Sequence, residues 1–176
     1  MGTSMTVNEF VRYMGQKPFY HFTDLRNIPL IKTRGLLSLR ELKKQEIDIP
    51  AAGGNQWSHD ADERIGLDGH VHLCLWDEHP MEYIAKKEGR IQNSRFLRIK
   101  PDVLSDDGIR FTPDVSNKAG CPIYTFDEAL EKMDFEVVYE RTDWKDPAIQ
   151  SRLRATKKYE LLVPGSVAIA LISGLE

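Results

Sequence analysis

Cysteine is scarce: Cys74 and Cys121 are the only two in 176 residues, and neither stands at metal-ligand spacing. That scarcity excludes a disulfide scaffold and a structural zinc, and it suits a reducing compartment in which each thiol is a small buried group. Long apolar runs are lacking too. The longest, Val167 to Ile172, falls far short of the roughly 20 residues needed to cross a bilayer. The opening MGTSMTVNEF has neither the basic start nor the apolar middle of a signal peptide, and Met5 reads as a candidate native start. A cytoplasmic protein without membrane contact is expected. No repeat, low-complexity tract or linker divides the chain, so one domain over residues 1–176 is expected, with about 1–17 as a lead-in. Gly53-Gly54 lacks the patterns that cradle nucleotide phosphates and reads as loop punctuation. Ser58, Ser116 and Ser166 lack the strand-turn-helix elbow of a hydrolase nucleophile.

A basic surplus is missing as well: the net charge is −3, which argues against indiscriminate nucleic-acid binding. Distribution matters more than the total. Acids gather at Asp60, Asp62 and Glu63, at Asp77 and Glu78, and from Asp127 to Glu140. The balance then reverses, with Arg141, Lys145, Arg152, Arg154, Lys157 and Lys158 against Asp143 and Asp146, immediately before Glu160. Such a run is either a solvated helix face with Trp144 in the core, or a phosphate-binding surface on which Trp144 stacks an unpaired base.

End signals mark four helices. Asn27 caps one over Ile28 to Arg34, stopped by Gly35. Pro80 opens a second that ends before Gly89, Thr125 and Glu128 form a capping box for a third reaching about Met133, and Asp146-Pro147 opens a fourth. Between them, Phe19–Phe22, Val71–Leu75, Phe96–Ile99, Phe135–Tyr139, Tyr159–Val163 and Val167–Ile172 have the aromatic and β-branched content of strands. The last two are expected to pair antiparallel across Pro164-Gly165-Ser166. The segment from Lys43 to Asp68 has few periodic apolar positions and reads as a long loop. Without regular βαβ repetition, an α+β fold follows: a mixed or antiparallel β core flanked by short helices.

Few residues here suit chemistry. Glu160 is an acid in an apolar strand, either an exposed strand end or a carboxylate held on rigid backbone to stabilise developing positive charge. Periodicity leaves both open. His21 and Thr23 alternate onto one side of a strand end before a helix; backbone groups there, with the helix N-terminus, hold a ligand amide or phosphate, or else Thr23 or Asn27 caps while His21 packs. His70-x-His72 has no third ligand at suitable spacing, so no metal is expected.

Taken in order from about Phe19 to Leu175, these segments resemble the DarT family of NAD-dependent DNA ADP-ribosyltransferase toxins. Tyr20-His21-Phe22-Thr23, Asn27-Ile28-Pro29 and Arg34-Gly35-Leu36-Leu37-Ser38 resemble the family's opening. His70-Val71-His72-Leu73 and His79-Pro80-Met81-Glu82-Tyr83 are similar to its strand and following helix, and Lys157-Lys158-Tyr159-Glu160-Leu161-Leu162-Val163-Pro164 to its catalytic-glutamate segment. The strand departs from the family's V-P-F-Y-F, and Tyr159 replaces a small residue.

The resemblance implies an ADP-ribosyltransferase-like fold and transfer of ADP-ribose from NAD, as co-substrate, to a base in single-stranded DNA. Glu160 and Arg64 would be catalytic; Tyr20, His21, Thr23, Asn27, Leu36 and Met81 would bind NAD. Arg141, Trp144, Lys145, Arg152, Arg154 and Lys157 would hold the nucleic acid. It also implies a toxin of a toxin-antitoxin or phage-defence system, neutralised by a macrodomain-type ADP-ribosyl hydrolase. RNA or protein as acceptor, and a non-catalytic nucleic-acid or NAD-binding module, are the alternatives.

Overall fold

The computed structural model describes residues 4–52 and 56–176, with side chains for all of these except 56–58. Gly53-Gly54 and the side chains of Trp57 and Ser58 therefore lie outside the described residues. In chain order the elements are α1 (Val7–Tyr13), β1 (Phe19–Asp24), α2 (Ile28–Arg34), β2 (Leu36–Leu37), α3 (Leu39–Lys44), α4 (Gln56–Ile65), β3 (His70–Cys74) and α5 (Pro80–Lys87). There follow β4 (Ser94–Ile99), β5 (Arg110–Thr112), α6 (Phe126–Lys132), α7 (Phe135–Tyr139), α8 (Pro147–Thr156), β6 (Glu160–Pro164), β7 (Ser166–Val167) and β8 (Ile172–Ser173). Six strands form an antiparallel sheet in the order β5-β6-β3-β1-β4-β8, and β2 pairs with β7 in a small second sheet. The α+β reading holds.

The helix signals work as chemistry predicts at three of the four sites. Thr125 and Glu128 exchange both bonds of a capping box, the Asp146 carboxylate accepts from the Ala148 N–H, and α5 starts at Pro80 with Gly89 left-handed beyond its end. Asn27 is the exception: its side chain makes no cap bond to α2.

Four expectations are corrected. Phe135–Tyr139 is helix α7, because Phe135, Val138 and Tyr139 stand at i, i+3 and i+4 and so share one apolar side. Their strand-like composition gives way to that spacing. The Val167–Ile172 run breaks into β7, a 3-10 turn at Ile169–Leu171, and β8. β7 does not return along β6: the Gly165 N–H donates to the Gly69 carbonyl and the Gly165 carbonyl accepts from Ser38, which leads the chain across to β2. The stretch from Lys43 to Asp68 contains α4 and a 3-10 turn at Leu67–Gly69. Apolar periodicity is weak in α4 because His59 and Asp62 turn toward a cleft, while Ala61 is buried.

The lead-in is built into the core. Phe10 of α1 is fully buried, with ring edges against Phe135 at 5.0 Å and Phe126 at 5.5 Å, and Phe135 packs in turn on Phe111 of β5. T-shaped contacts of this kind add to the free energy of burying the rings.

Gly35 ends α2 at φ 72°, and a Cβ there would sit 2.3 Å from the Val167 carbonyl oxygen, so only glycine lets β2 approach β7. Gly15 shares the positive φ but has open space around it. Gly15→Ala should cost about 1–2 kcal/mol for the left-handed backbone alone. Gly35→Ala should cost roughly 3 kcal/mol or more, since backbone must also move. Denaturant melts of the two variants compare them directly; equal losses would show that the close approach to Val167 is unimportant.

Candidate active site

β1 and β3 are sequence-distant neighbours that pair at Tyr20 and Cys74. Beyond that point β1 follows β4 in unbroken register from Phe19–Ile99 to Asp24–Ser94, while β3 follows β6 from Cys74–Glu160 to His70–Pro164. A cleft lies along this region, lined by His21, Thr23, His72, Cys74 and Glu160, with α2, α4 and the start of α5 supplying its other walls.

Glu160 is the first residue of β6 and yet only 6% exposed, so it is not a solvated strand end. A charge that far from water must be paired or hydrogen-bonded. One carboxylate oxygen, Oε2, accepts from the Ser116 N–H at 2.6 Å. The other, Oε1, lies 3.4 Å from His72 Nδ1, which also lies 3.0 Å from Ser116 Oγ. The far nitrogen, His72 Nε2, is 3.2 Å from the Leu67 carbonyl, an acceptor that fixes it as a donor. Asp62 of α4 stands 3.9 Å from the same nitrogen. Burial works against charge on this ring, but the Glu160 bond and the two neighbouring carboxylates prevail and push its pKa up to about 9. His72 is thus an imidazolium between two acids.

His21 closes the opening between β1 and β3 from the other side. Its Nδ1 lies 3.0 Å from the His72 carbonyl, which can only accept, so Nδ1 carries the hydrogen. Burial pushes its pKa down and keeps the ring neutral. Nε2 is then left as an acceptor facing the cleft. Asn27 is fully engaged: its amide nitrogen donates to Thr23 Oγ1 at 3.1 Å and to the Ala51 carbonyl, and its oxygen accepts from the Ala51 N–H at 3.0 Å. It fastens the 47–52 segment over the cleft as a strand partner would. The 3-10 turn that carries it, Leu25–Asn27, is capped by buried Asp24, whose carboxylate accepts from Arg26 and from the Gln92 N–H.

Of the residues singled out from sequence, His21, Thr23, Asn27, Leu36, Met81 and Glu160 line one cleft. Tyr20 does not; it stands beside His21 in β1, opposite Cys74 and Arg98. Arg64 is exposed on the last turn of α4, two residues past Asp62. Two residues are about 200° around a helix, so the side that presents Asp62 inward presents Arg64 outward. No arginine or lysine is among the described residues lining the cleft. In the basic run, Trp144 is 65% exposed with the Lys145 ammonium 5.5 Å from its ring centre, and Arg141 and Arg154 are exposed. Arg152 is bound to Asp134 and Glu136, and Lys157 to Glu78 and over the Trp76 ring. Sequence reasoning missed His72, Ser116 and Asp62. The one available signal was a histidine two residues before Cys74 in a strand that resembles an all-apolar one; Ser116, which meets Glu160 through its backbone N–H and His72 through its hydroxyl, left none.

Two titrations follow. A raised folded pKa means that the His72 contribution to stability is complete below about 6.5, declines above it and is gone past about 9. Thermal melts across that range should show wild type losing its margin over His72→Gln as pH rises; a constant margin contradicts the imidazolium. Asp24 behaves oppositely. The Arg26 guanidinium, outweighing burial, holds its carboxyl well below the ordinary 3.8, so its contribution is present above that value and lost as pH falls below it. Asp24→Asn should be less stable than wild type at neutral pH, with a gap that closes in acid.

Comparison with known proteins returns the same fold. Thermus sp. 2.9 DarT in complex with ADP-ribosylated ssDNA aligns with a TM-score of 0.65 at 20% identity, covering 90% of this chain and 79% of that one. Thermus sp. 2.9 DarT in complex with NAD+ aligns at 0.58 and 21%, over 90% and 80%. Thermosipho africanus DarTG in complex with ADP-ribose aligns at 0.60 and 18%, covering 89% of this chain, which spans only 43% of the Thermosipho chain. No curated protein matches the chain. A family model described as "ssDNA thymidine ADP-ribosyltransferase, DarT" matches residues 20–175, and on that coverage the chain belongs to the DarT family.

Proposed function

We propose that this protein transfers ADP-ribose from NAD to thymidine in single-stranded DNA, with Glu160 as the catalytic carboxylate. The observation that carries this is a glutamate at once buried, doubly held and lining the cleft, in a chain whose family is defined by that reaction. In the transfer, the bond between the ribose anomeric carbon and nicotinamide breaks, and a bond from that carbon to the base forms. The base gives up a proton. Positive charge builds on the ribose meanwhile, and a fixed carboxylate that meets this charge chiefly in the transition state contributes to rate rather than affinity.

His72 is a cation beside that carboxylate and would by itself oppose the effect. Asp62 stands on its other flank, where burial pushes its carboxyl pKa up while the His72 ring pulls it down, and it offsets that cation to the extent that it is ionised. Ser116 fixes the carboxylate without adding charge. His21 Nε2, a neutral acceptor, suits an amide N–H of the nicotinamide. Apolar Leu30, Ile31, Leu36, Leu42 and Ile49 line the remainder and exclude water.

Arg141, Lys145 and Arg154 would meet phosphates and Trp144 would stack on an unpaired base. A base inside a duplex is out of reach of such a cleft, which favours a single strand. The biological role we propose is that of a toxin in a toxin-antitoxin or phage-defence system of the cytoplasm, opposed by a macrodomain-type hydrolase that removes the mark.

Mass spectrometry of oligonucleotides incubated with NAD and purified protein tests the reaction. A thymidine-containing DNA strand should gain ADP-ribose, while strands without thymidine and RNA should not. Glu160→Gln should slow the transfer by roughly 10²–10³-fold with a much smaller change in NAD affinity. No mass gain on any strand would overturn the assignment.

A further inference from the structure

His79 caps α5, an unusual duty for histidine, since asparagine, aspartate, serine and threonine make the better N-caps. Its Nδ1 accepts from the Met81 N–H at 3.2 Å. A backbone N–H can only donate, so Nδ1 carries no hydrogen of its own. The ring is 5% exposed, and burial pushes its pKa down, with His72 acting in the same direction and Glu160 and Asp114 against it. A neutral ring whose Nδ1 is bare carries its hydrogen on Nε2. That nitrogen is buried and has no hydrogen-bond partner among the described residues. The ring is held flat beside Phe22, centres 6.0 Å apart and planes 21° from parallel, and the residue lines the cleft with Glu160 and Met81.

A buried donor with nothing to bond costs about 1–3 kcal/mol, and folded proteins leave few of them. Asparagine at this position would cap the helix without placing a donor at the Nε2 position. What histidine adds is a buried, unpartnered donor one ring-width beyond the cap, on a residue that lines the cleft. We propose that His79 donates its Nε2–H to a carbonyl oxygen of the substrate bound beside Glu160, and so serves as a positioning and specificity-determining residue. An uncharged donor in a site already holding an imidazolium matches an uncharged acceptor rather than a phosphate, which arginine or lysine serves better. Two substrate groups offer such a carbonyl: the carboxamide of NAD and the thymine ring. The proposal rests on the reading of this cleft as the NAD and thymidine site.

Two substitutions separate the roles of the ring. In His79→Asn the side-chain oxygen takes the place of Nδ1 on the Met81 N–H, while nothing stands at Nε2. In His79→Gln the amide N–H takes the place of Nε2–H and the cap is lost. The melting temperature of His79→Asn should stay near wild type, yet it should lose roughly ten-fold in one ligand term. His79→Gln should melt lower and keep more of that term. Calorimetry with NAD alone and steady-state transfer to a thymidine oligonucleotide identify the source. Weaker NAD binding assigns the nicotinamide carboxamide; a raised oligonucleotide KM at unchanged NAD affinity assigns the thymine carbonyl. If His79→Asn equals wild type in both, His79 is a cap only and the inference fails. Wild-type protein that binds no NAD defeats the reading of the cleft itself, a different result from NAD binding that is indifferent to residue 79.

Discussion

The burial of one charge governs the arrangement around it. Glu160 pairs in register with Cys74 on one side and Thr112 on the other, so its carboxylate starts in the middle of a sheet, where an unpaired ion costs several kcal/mol. Its partners come from two separate segments, the Ser116 loop and strand β3. Each partner needs support of its own. His72 relies on the Leu67 carbonyl, and the Leu67–Gly69 turn that presents it is anchored by Asp68, whose carboxylate accepts two bonds from Arg40 of α3. The requirement thus passes outward from the sheet to α3 and α4, and it explains why a segment poor in apolar residues is ordered into helix.

A second consequence concerns the opening between β1 and β3. Where two strands do not pair, their backbone groups still need partners. Here a side chain supplies one, the His21 ring meeting the His72 carbonyl, and across the cleft the Asn27 amide does the same for both backbone groups of Ala51. These two residues build the walls of the cleft before they bind anything. A site held this way starts close to its working geometry, which is what a transition-state interaction needs.

The legible part of the sequence was the part ruled by local chemistry. Capping boxes, Pro80 and Gly35 act within a few residues, so the helix ends could be read directly. Phe135–Tyr139 could not be typed from composition, because five residues of this kind fit a strand or a helix and contact with Phe10 decides. The course of β7 depended on Gly165 bonding to Gly69 and Ser38, partners far away in sequence. Among the residues lining the cleft, Glu160, His21 and Thr23 were singled out through ordered motifs, whereas His72 and Ser116 reach Glu160 through register and a loop. Strand alternation tells which side a residue takes, not which residue waits there. Asn27 lines the cleft but does not take the capping role expected of it, since its amide spans to Ala51 and makes no bond to the start of α2.

The pairing of charges along residues 141–158 bears on the nucleic-acid surface proposed there. The run is strongly basic as a string of letters, yet Arg152 is tied to Asp134 and Glu136, and Lys157 to Glu78 and the Trp76 ring. Those contacts fasten α8 to the corner between α6 and α7 and to the loop after β3, and so place the strand that starts with Glu160. The exposed cations left in the run are Arg141, Lys145, Arg154 and Lys158, on a chain whose net charge is negative. A handful of phosphate contacts gives only modest affinity and a shallow salt dependence. Under the function proposed above, discrimination would then come from elsewhere: from stacking on exposed Trp144, and above all from the neutral donors and acceptors inside the cleft, where water is excluded and each hydrogen bond counts for more.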